Sequence, residues 1–241
     1  MHRVFILFFL STFSVMAQKA SPVATTLTPV TQDRDKAIYD WQKRHLAAME
    51  MGKTAPVDVV MLGDSIWHYW AGEPKAPIVR GLKPWDELFQ GKTVANLGFG
   101  WDRIENALWR VNQGELSALK PKTLILLIGT NNLEFNTALD IRAGIVNLCQ
   151  TIHKQLPECH IQVLGLLPRT LPEKLISRPV EVNAELHQAL AGMERVHFHD
   201  LSKVFYDEEG KLDAKLFSDG LHPNEEGYTR LAKAMRLLVA H

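Results

Sequence analysis

Five short runs of branched apolar residues recur along this chain, and the stretches between them limit what it can fold into. The runs are "VDVVML" (57–62), "TVANL" (93–97), "TLILLI" (123–128), "IQVLGL" (161–166) and "RVHFHD" (195–200), and the middle ones are almost unbroken in apolar character. A strand that lacks polar alternation is covered on both faces, as parallel strands are when helices flank them. The intervals carry helical spacing over 102–112, 137–156, 179–192 and 223–239, the last with Pro223 at a first helical position. Ahead of the first strand, Ile38, Trp41, Leu46 and Met49 among charges predict a further helix from Asp33 to Met51. Strand and helix in alternation predict an α/β fold, a three-layer α/β/α sandwich around a central parallel sheet. At 241 residues, nearly half of them apolar, the chain suits one large domain.

Ligands of such sheets bind beyond the carboxyl ends of the strands, so chemistry is expected in the residues that follow each strand. After the first run, "VVMLGDSIWHYW" (59–70) places Gly63, Asp64 and Ser65 at the strand tip and crowds them with rings. "GFGWD" (98–102), "GTNN" (129–132) and "LPR" (167–169) follow the next three, and "SDGLHPNEEGY" (218–228) lies near the C-terminus. A serine hydroxyl becomes a useful nucleophile when a histidine takes its proton, and that histidine needs a carboxylate to fix its tautomer. Asp219 and His222 are three apart in a glycine-containing turn, so both side chains can point one way and leave a ring nitrogen for Ser65. Pro223 steers His222 away from helical geometry. The plain alternative makes Asp219 a turn residue and His222 the neighbour of a helix cap. Acyl transfer also needs donors for a developing oxyanion, which backbone N–H groups of "GFGW" and the amide of Asn131 or Asn132 can supply. "GDSIW" does not match the G-x-S-x-G elbow of the α/β-hydrolases, so that fold is disfavoured.

In order, "GDS", "NLGFGWD", "GTNN" and "DGLH" resemble the four blocks of the SGNH (GDSL-type) hydrolase family. "ALWRVNQGEL", "GTNN" and "GLLPR" resemble stretches of platelet-activating-factor acetylhydrolase catalytic subunits and related bacterial esterases. The resemblance runs from about Val57 to the C-terminus and implies the SGNH hydrolase fold with a flavodoxin-like sheet. It also implies Ser65 as nucleophile, Asp219 and His222 as its partners, and no metal or organic cofactor. The implied oxyanion hole comprises the Ser65 N–H, the Asn131 amide and a third backbone donor. In members reading N-x-G-x-x-G the last glycine gives that donor; here the position is Trp101, with Gly100 as the alternative. A bulky residue is penalised at positive φ, so Trp101 is expected to keep the role only at some cost. Asn132 stands where many members have Asp, so pairing behind the site is expected to differ.

The N-terminus reads as an address. "MHRVFILFFLSTFSVMAQ" has a basic start, an apolar stretch and small residues before Gln18, predicting a cleavable signal peptide over 1–17 cut near Ala17-Gln18. A lead-in and helix over 18–52 and the hydrolase domain over 53–241 follow. The mature protein is then expected in a periplasm or outside the cell, with no stable membrane insertion. A formal net charge of zero gives no reason to expect nucleic acid as a partner. Cys149 and Cys159 read as buried free thiols, with a disulfide as the alternative in such a compartment. "HFHD" (197–200) reads as strand alternation rather than a metal site, and Trp85 as a helix-face core residue. Asp102 and Arg103 read as capping or ion-pairing residues, while Arg169 is open to a pocket or a structural role. Trp67, Tyr69, Trp70 and Trp101 are expected to include rings that stack on sugar, the alternative being that two of them pack the helix after Ser65. The expected function is an exported serine esterase that removes acetyl groups from carbohydrate by a Ser-His-Asp acyl-enzyme route. A lysophospholipase or platelet-activating-factor-acetylhydrolase-like lipid esterase is the second reading, and a silent carbohydrate-binding protein a third of another class. Dimers occur among the relatives, which leaves a homodimer open.

Overall fold

The computed structural model describes residues 25–34, 36–54 and 56–239. The expected signal peptide over 1–17 and the start of the lead-in lie outside the described residues. Five parallel strands form one sheet in the order β2-β1-β3-β4-β5: β1 (Val59–Gly63), β2 (Val94–Gly98), β3 (Thr123–Leu127), β4 (His160–Leu164) and β5 (Val196–His199). All five residues of β1 and of β3 are buried, which is why those runs lack polar alternation. The strand order reverses between β1 and β3, so the crevice for a ligand opens there. Gly63 pairs with both Gly98 and Leu127. The loops after β1, β2 and β3 therefore leave the sheet level with one another, and this places the expected blocks side by side.

Right-handed crossovers put the connecting helices on both faces. Contacts join α4 (Ile104–Asn112), α5 (Glu115–Leu119), α6 (Ala138–Gln155) and α7 (Arg178–Leu190) on one side. On the other, α2 (Ser65–His68) lies on β1 and β2, and α3 (Leu82–Leu88) packs against α8 (Glu225–Met235). The first helix, α1 (Trp41–Thr54), covers β2 and α5. It begins at Trp41 rather than Asp33, because Gln32 and Tyr39 are drawn off to hydrogen-bond the loop after β2. Likewise α8 starts at Glu225, two residues past Pro223, because Asn224 caps it by accepting from the Gly227 N–H (3.0 Å).

Trp67 and Trp70 are fully buried, which corrects their assignment to substrate binding. Trp70 stacks on Tyr228 of α8 at 4.8 Å between ring centres and meets Trp85 edge-on at 5.7 Å. A single helical turn follows Ser65, so Trp67 and Trp70 turn into the core, while Tyr69 lines the cleft beside His222, with ring centres 5.3 Å apart. That turn approaches β2 very closely: a Cβ on Gly98 would lie 2.2 Å from the His68 nitrogen. Asn96 completes the join, its amide donating to the carbonyls of Trp67 (2.7 Å) and Ala71 (2.6 Å). Trp85 is a core residue as expected. Cys149 and Cys159 are both free and buried, and burial pushes each thiol up to about 12. Among the described residues no helix is long and apolar enough to cross a membrane.

The loop after β2 is anchored from below by ions. Arg110 of α4 has no solvent exposure and donates from Nε to Asp102 (3.0 Å) and from Nη1 to Glu115, while its guanidinium lies 3.8 Å from the Phe99 ring centre. Arg110→Met leaves two buried carboxylates without their cation. The expected loss is about 3–5 kcal/mol of stability, to be read from urea unfolding. A loss under about 1 kcal/mol refutes the anchoring role.

Candidate active site

Ser65 opens α2, and the turn that presents it is built by its two predecessors. Asp64 caps the helix by accepting from the Ile66 N–H (2.9 Å), and it is completely buried. Burial pushes its carboxyl up to about 7. Ser65 Oγ lies 2.8 Å from His222 Nε2, and His222 Nδ1 lies 2.8 Å from Asp219 Oδ2. The three expected residues thus form one hydrogen-bonded chain.

The loop bearing Asp219 and His222 is tied down on several sides. Asp219 Oδ1 accepts the backbone N–H of His222 (2.9 Å) and of Leu221 (3.2 Å), which closes the turn. Gly220 occupies φ +80°, and its carbonyl accepts the Thr170 N–H (2.8 Å) from the segment after β4. Ser218 N–H donates to the His222 carbonyl (2.8 Å). Arg80 Nη1 then reaches Asp219 Oδ2 at 3.0 Å, with its guanidinium over the Tyr69 ring. Arg80 sits between two elements without a motif around it, and nothing in the sequence marks it.

Charges around the pair set its protonation. Burial pushes the Asp219 carboxyl up, but the His222 backbone N–H, the His222 ring and Arg80 together hold it well below the usual carboxylate range. Burial pushes His222 down, Asp219 pulls it up, and Arg80 and Arg169 push it down again; the net is below the ordinary histidine value. An imidazole that is neutral at neutral pH can accept the Ser65 proton.

The donors opposite come from the next two loops. Trp101 sits at φ 63° and is half exposed, and Ser65, Trp101 and Asn131 line one cleft. A left-handed conformation costs a bulky residue about 1–2 kcal/mol. Four hydrogen bonds hold it: Gln32 and Tyr39 donate to the Gly100 carbonyl, Arg34 to the Trp101 carbonyl, and the Gly100 N–H to His68 Nδ1 (3.0 Å). That last bond commits the Gly100 donor and removes Gly100 as the alternative oxyanion group. Burial, with Arg44 and Arg110 nearby, pushes His68 down to about 2, so it is the neutral acceptor this bond needs. Neither the Ser65 nor the Trp101 backbone N–H donates to a protein acceptor among the described residues.

Asn131 Nδ2 gives one hydrogen to the Asp102 carbonyl (2.9 Å), and its second amide hydrogen is left for a ligand. Asn132 turns inward: its oxygen caps α4 at the Ile104 N–H (3.0 Å), and its nitrogen holds the buried Glu105 carboxylate (2.9 Å). An Asp there would face Glu105 with like charge, which accounts for the amide. Arg169 stands where the pocket and its support meet. It lines the cleft, and it donates to the Leu171 carbonyl (2.6 Å) and to Thr130 Oγ1 (3.4 Å). Asp102 pairs with Arg110, while Arg103 stacks on Phe135 at the cleft wall. Phe135, Arg34 and Arg103 join the cleft without any motif to announce them, since their place depends on how the loops meet. The cleft encloses about 290 Å³.

Comparison with known proteins gives a family and a fold. A model of the GDSL-like lipase/acylhydrolase family matches residues 61–230. The alpha1 subunit of platelet-activating factor acetylhydrolase IB from Rattus norvegicus is 32% identical over 200 residues, 83% of this chain and 82% of that one. A GDSL-like lipase from Bacteroides thetaiotaomicron superposes with a TM-score of 0.63 at 17% identity, covering 83% of this chain and 98% of that one. A catalytic mutant of an acetylxylan esterase from Geobacillus stearothermophilus gives a TM-score of 0.60 at 16% identity, covering 76% and 94%. Both structures share the fold with this chain.

The ion arrangement generates a pH test. Labelling of Ser65 by a fluorophosphonate is expected to fall off on the acid side with a midpoint below the ordinary histidine value of about 6.5. Arg80→Gln removes a cation near His222, so its imidazolium becomes easier to hold and the midpoint moves up, by about half a pH unit. An unmoved or lowered midpoint contradicts the role assigned to Arg80.

Proposed function

This chain belongs to the GDSL-like lipase/acylhydrolase family and is a carboxylic ester hydrolase; from that premise we propose that it is an exported serine esterase for short acyl, chiefly acetyl, esters of carbohydrate. The observation that carries the mechanism is the hydrogen-bonded chain from Ser65 through His222 to Asp219 at the mouth of the cleft. His222 takes the Ser65 proton as Oγ attacks the ester carbonyl. The carbonyl oxygen, now an anion, is held by the Ser65 N–H, the Trp101 N–H and the Asn131 amide. His222 passes its proton to the leaving alcohol, which leaves an acyl-serine. Water then adds to that acyl group as His222 accepts its proton, and the acid departs with Ser65 regenerated. Asp219 holds the tautomer throughout and stabilises the imidazolium.

Substrate size is argued from the walls. The half-exposed Trp101 narrows the approach to Ser65, which suits acetate over long acyl chains. With Trp67 and Trp70 in the core, sugar stacking rests on Trp101 and Phe135, which are 52% and 61% exposed. The 32% identity to a platelet-activating factor acetylhydrolase subunit favours a lipid ester as the second reading. Export rests on the basic and apolar pattern of residues 1–17. It predicts a mature N-terminus at Gln18, to be read by N-terminal sequencing.

Nitrophenyl esters separate the readings. Acetate is expected to be cleaved far faster than octanoate, and the reverse order selects the lipid reading. Ser65→Ala should abolish turnover, and Asn131→Ala should lower kcat by about 10²–10³. Undiminished hydrolysis by Ser65→Ala would overturn the mechanism.

A further inference from the structure

Three arginines converge on the cleft of a chain with zero formal net charge. Arg169 is buried, and both acceptors of its hydrogen bonds, the Leu171 carbonyl and Thr130 Oγ1, are neutral. Arg103 lies 3.9 Å above the centre of the Phe135 ring. Stacking occupies the face of a guanidinium and leaves its edge N–H donors for a ligand. The Glu105 carboxylate is 4.0 Å away, at the limit of an ion pair. Arg34 reaches in from the N-terminal segment, and its Nη2 donates to the Trp101 carbonyl and Asn106 Oδ1, neutral acceptors again. Glu134 also lines the cleft, but it is paired with Lys174 at 2.6 Å. Asp219 is paired with His222 and Arg80.

The wall beside Ser65 therefore gathers three guanidiniums, and among the described residues only that of Arg103 stands within ion-pair distance of a carboxylate, Glu105. Like charges held together in a concave, partly desolvated site are costly, and the field they make is focused on whatever enters. Guanidinium edges fit the two oxygens of a carboxylate or phosphate. We propose that the ester taken by this site carries an anionic oxyacid group, carboxylate or phosphate, that docks on Arg103 and Arg169 with Arg34 at the rim while its acyl carbon faces Ser65. An acetylated sugar acid has this chemistry, with an apolar ring face for Trp101 and Phe135 and a charge beside it. The substrate assignment rests on Ser65 as the nucleophile; the anion site itself does not.

Binding to the Ser65→Ala protein tests the site without turnover. Galacturonate is compared with galactose, and glycerol phosphate with glycerol, by calorimetry at low salt. At least one anion is expected to bind about tenfold or more tighter than its neutral partner, which is about 1.4 kcal/mol. That preference should shrink at about 0.5 M salt and disappear in Arg103→Gln; the Arg103 side chain stacks on Phe135 and stands 4.0 Å from Glu105, at the limit of an ion pair. A preference for galacturonate assigns a sugar acid, and one for glycerol phosphate a phosphate-bearing ester. Equal binding of anion and neutral partner in both pairs overturns the proposal. Where galacturonate is the preferred anion, equal hydrolysis of acetylated galactose and acetylated galacturonate by the unmutated enzyme also overturns the substrate assignment while leaving the esterase reading intact. Anion binding without hydrolysis of any acetyl ester upholds the site and sinks the esterase reading. Arg169→Gln is expected to lose the preference as well; should it fail to fold, the salt dependence of the Ser65→Ala protein still reads the charge.

Discussion

The buried Arg110 guanidinium is the contact on which the site's geometry depends. It ties Asp102, in the loop after β2, to Glu115 at the start of α5, and His45 Nδ1 extends the link to α1 at 3.0 Å. Replacing such an ion group by apolar residues often leaves stability unchanged, so its contribution is better sought in the unique arrangement it enforces. Here that arrangement has a direct reader. The side chain of Asp102 is fixed by Arg110, Trp41 and Gln32, and its main-chain carbonyl is the acceptor that orients the Asn131 amide. An ion pair beneath one loop thereby aims a side chain on the next.

Two kinds of rigidity meet at Ser65. On the oxyanion side the parts are buried and paired: Asn96 and Gly98 seat the helical turn, and His68 pins Gly100. On the base side the loop is more open, with the Asp219 side chain 43% exposed, and order comes from many short bonds instead of packing. Arg80 serves both order and charge there. It holds the carboxylate in place, and with Arg169 it adds to burial in keeping His222 in the neutral form that a base requires. The same Arg169 lines the cleft, so a substrate anion that docks on it would also reduce its effect on His222, and binding and basicity are coupled through one side chain.

The fold was legible because a doubly covered parallel sheet leaves an unmistakable trace in its central strands, and both β1 and β3 carry it. The catalytic blocks were legible because each stands at a strand end, where the register of Gly63 with Gly98 and Leu127 makes neighbours of residues far apart in sequence. Rings misled for a local reason. "WHYW" stands just after Ser65-Ile66, but the segment is a single helical turn on a strand, and of its rings Tyr69 reaches the cleft beside His222 while Trp67 and Trp70 do not. Trp67 and Trp70 belong to the α3–α8 layer, as their lack of solvent exposure requires. Arg80, Arg34 and Phe135 were invisible because their positions follow from loop meetings with no periodicity or spacing behind them.

Trp101 joins these threads. The matched family region begins at residue 61, yet the donors that hold the Trp101 loop come from before it: Gln32, Arg34 and Tyr39. A glycine at this position would adopt φ 63° without penalty and would need no such brace. A tryptophan adopts it only where neighbours over-determine the turn, at about 1–2 kcal/mol. The N-terminal segment and the substitution are thus parts of one device. The brace offsets the strain of a bulky residue, the bulky residue narrows the cleft, and the same segment brings Arg34 to its rim. Shape and charge at the mouth of this site therefore depend in part on residues ahead of the matched family region, which brace Trp101 and place Arg34 at the rim.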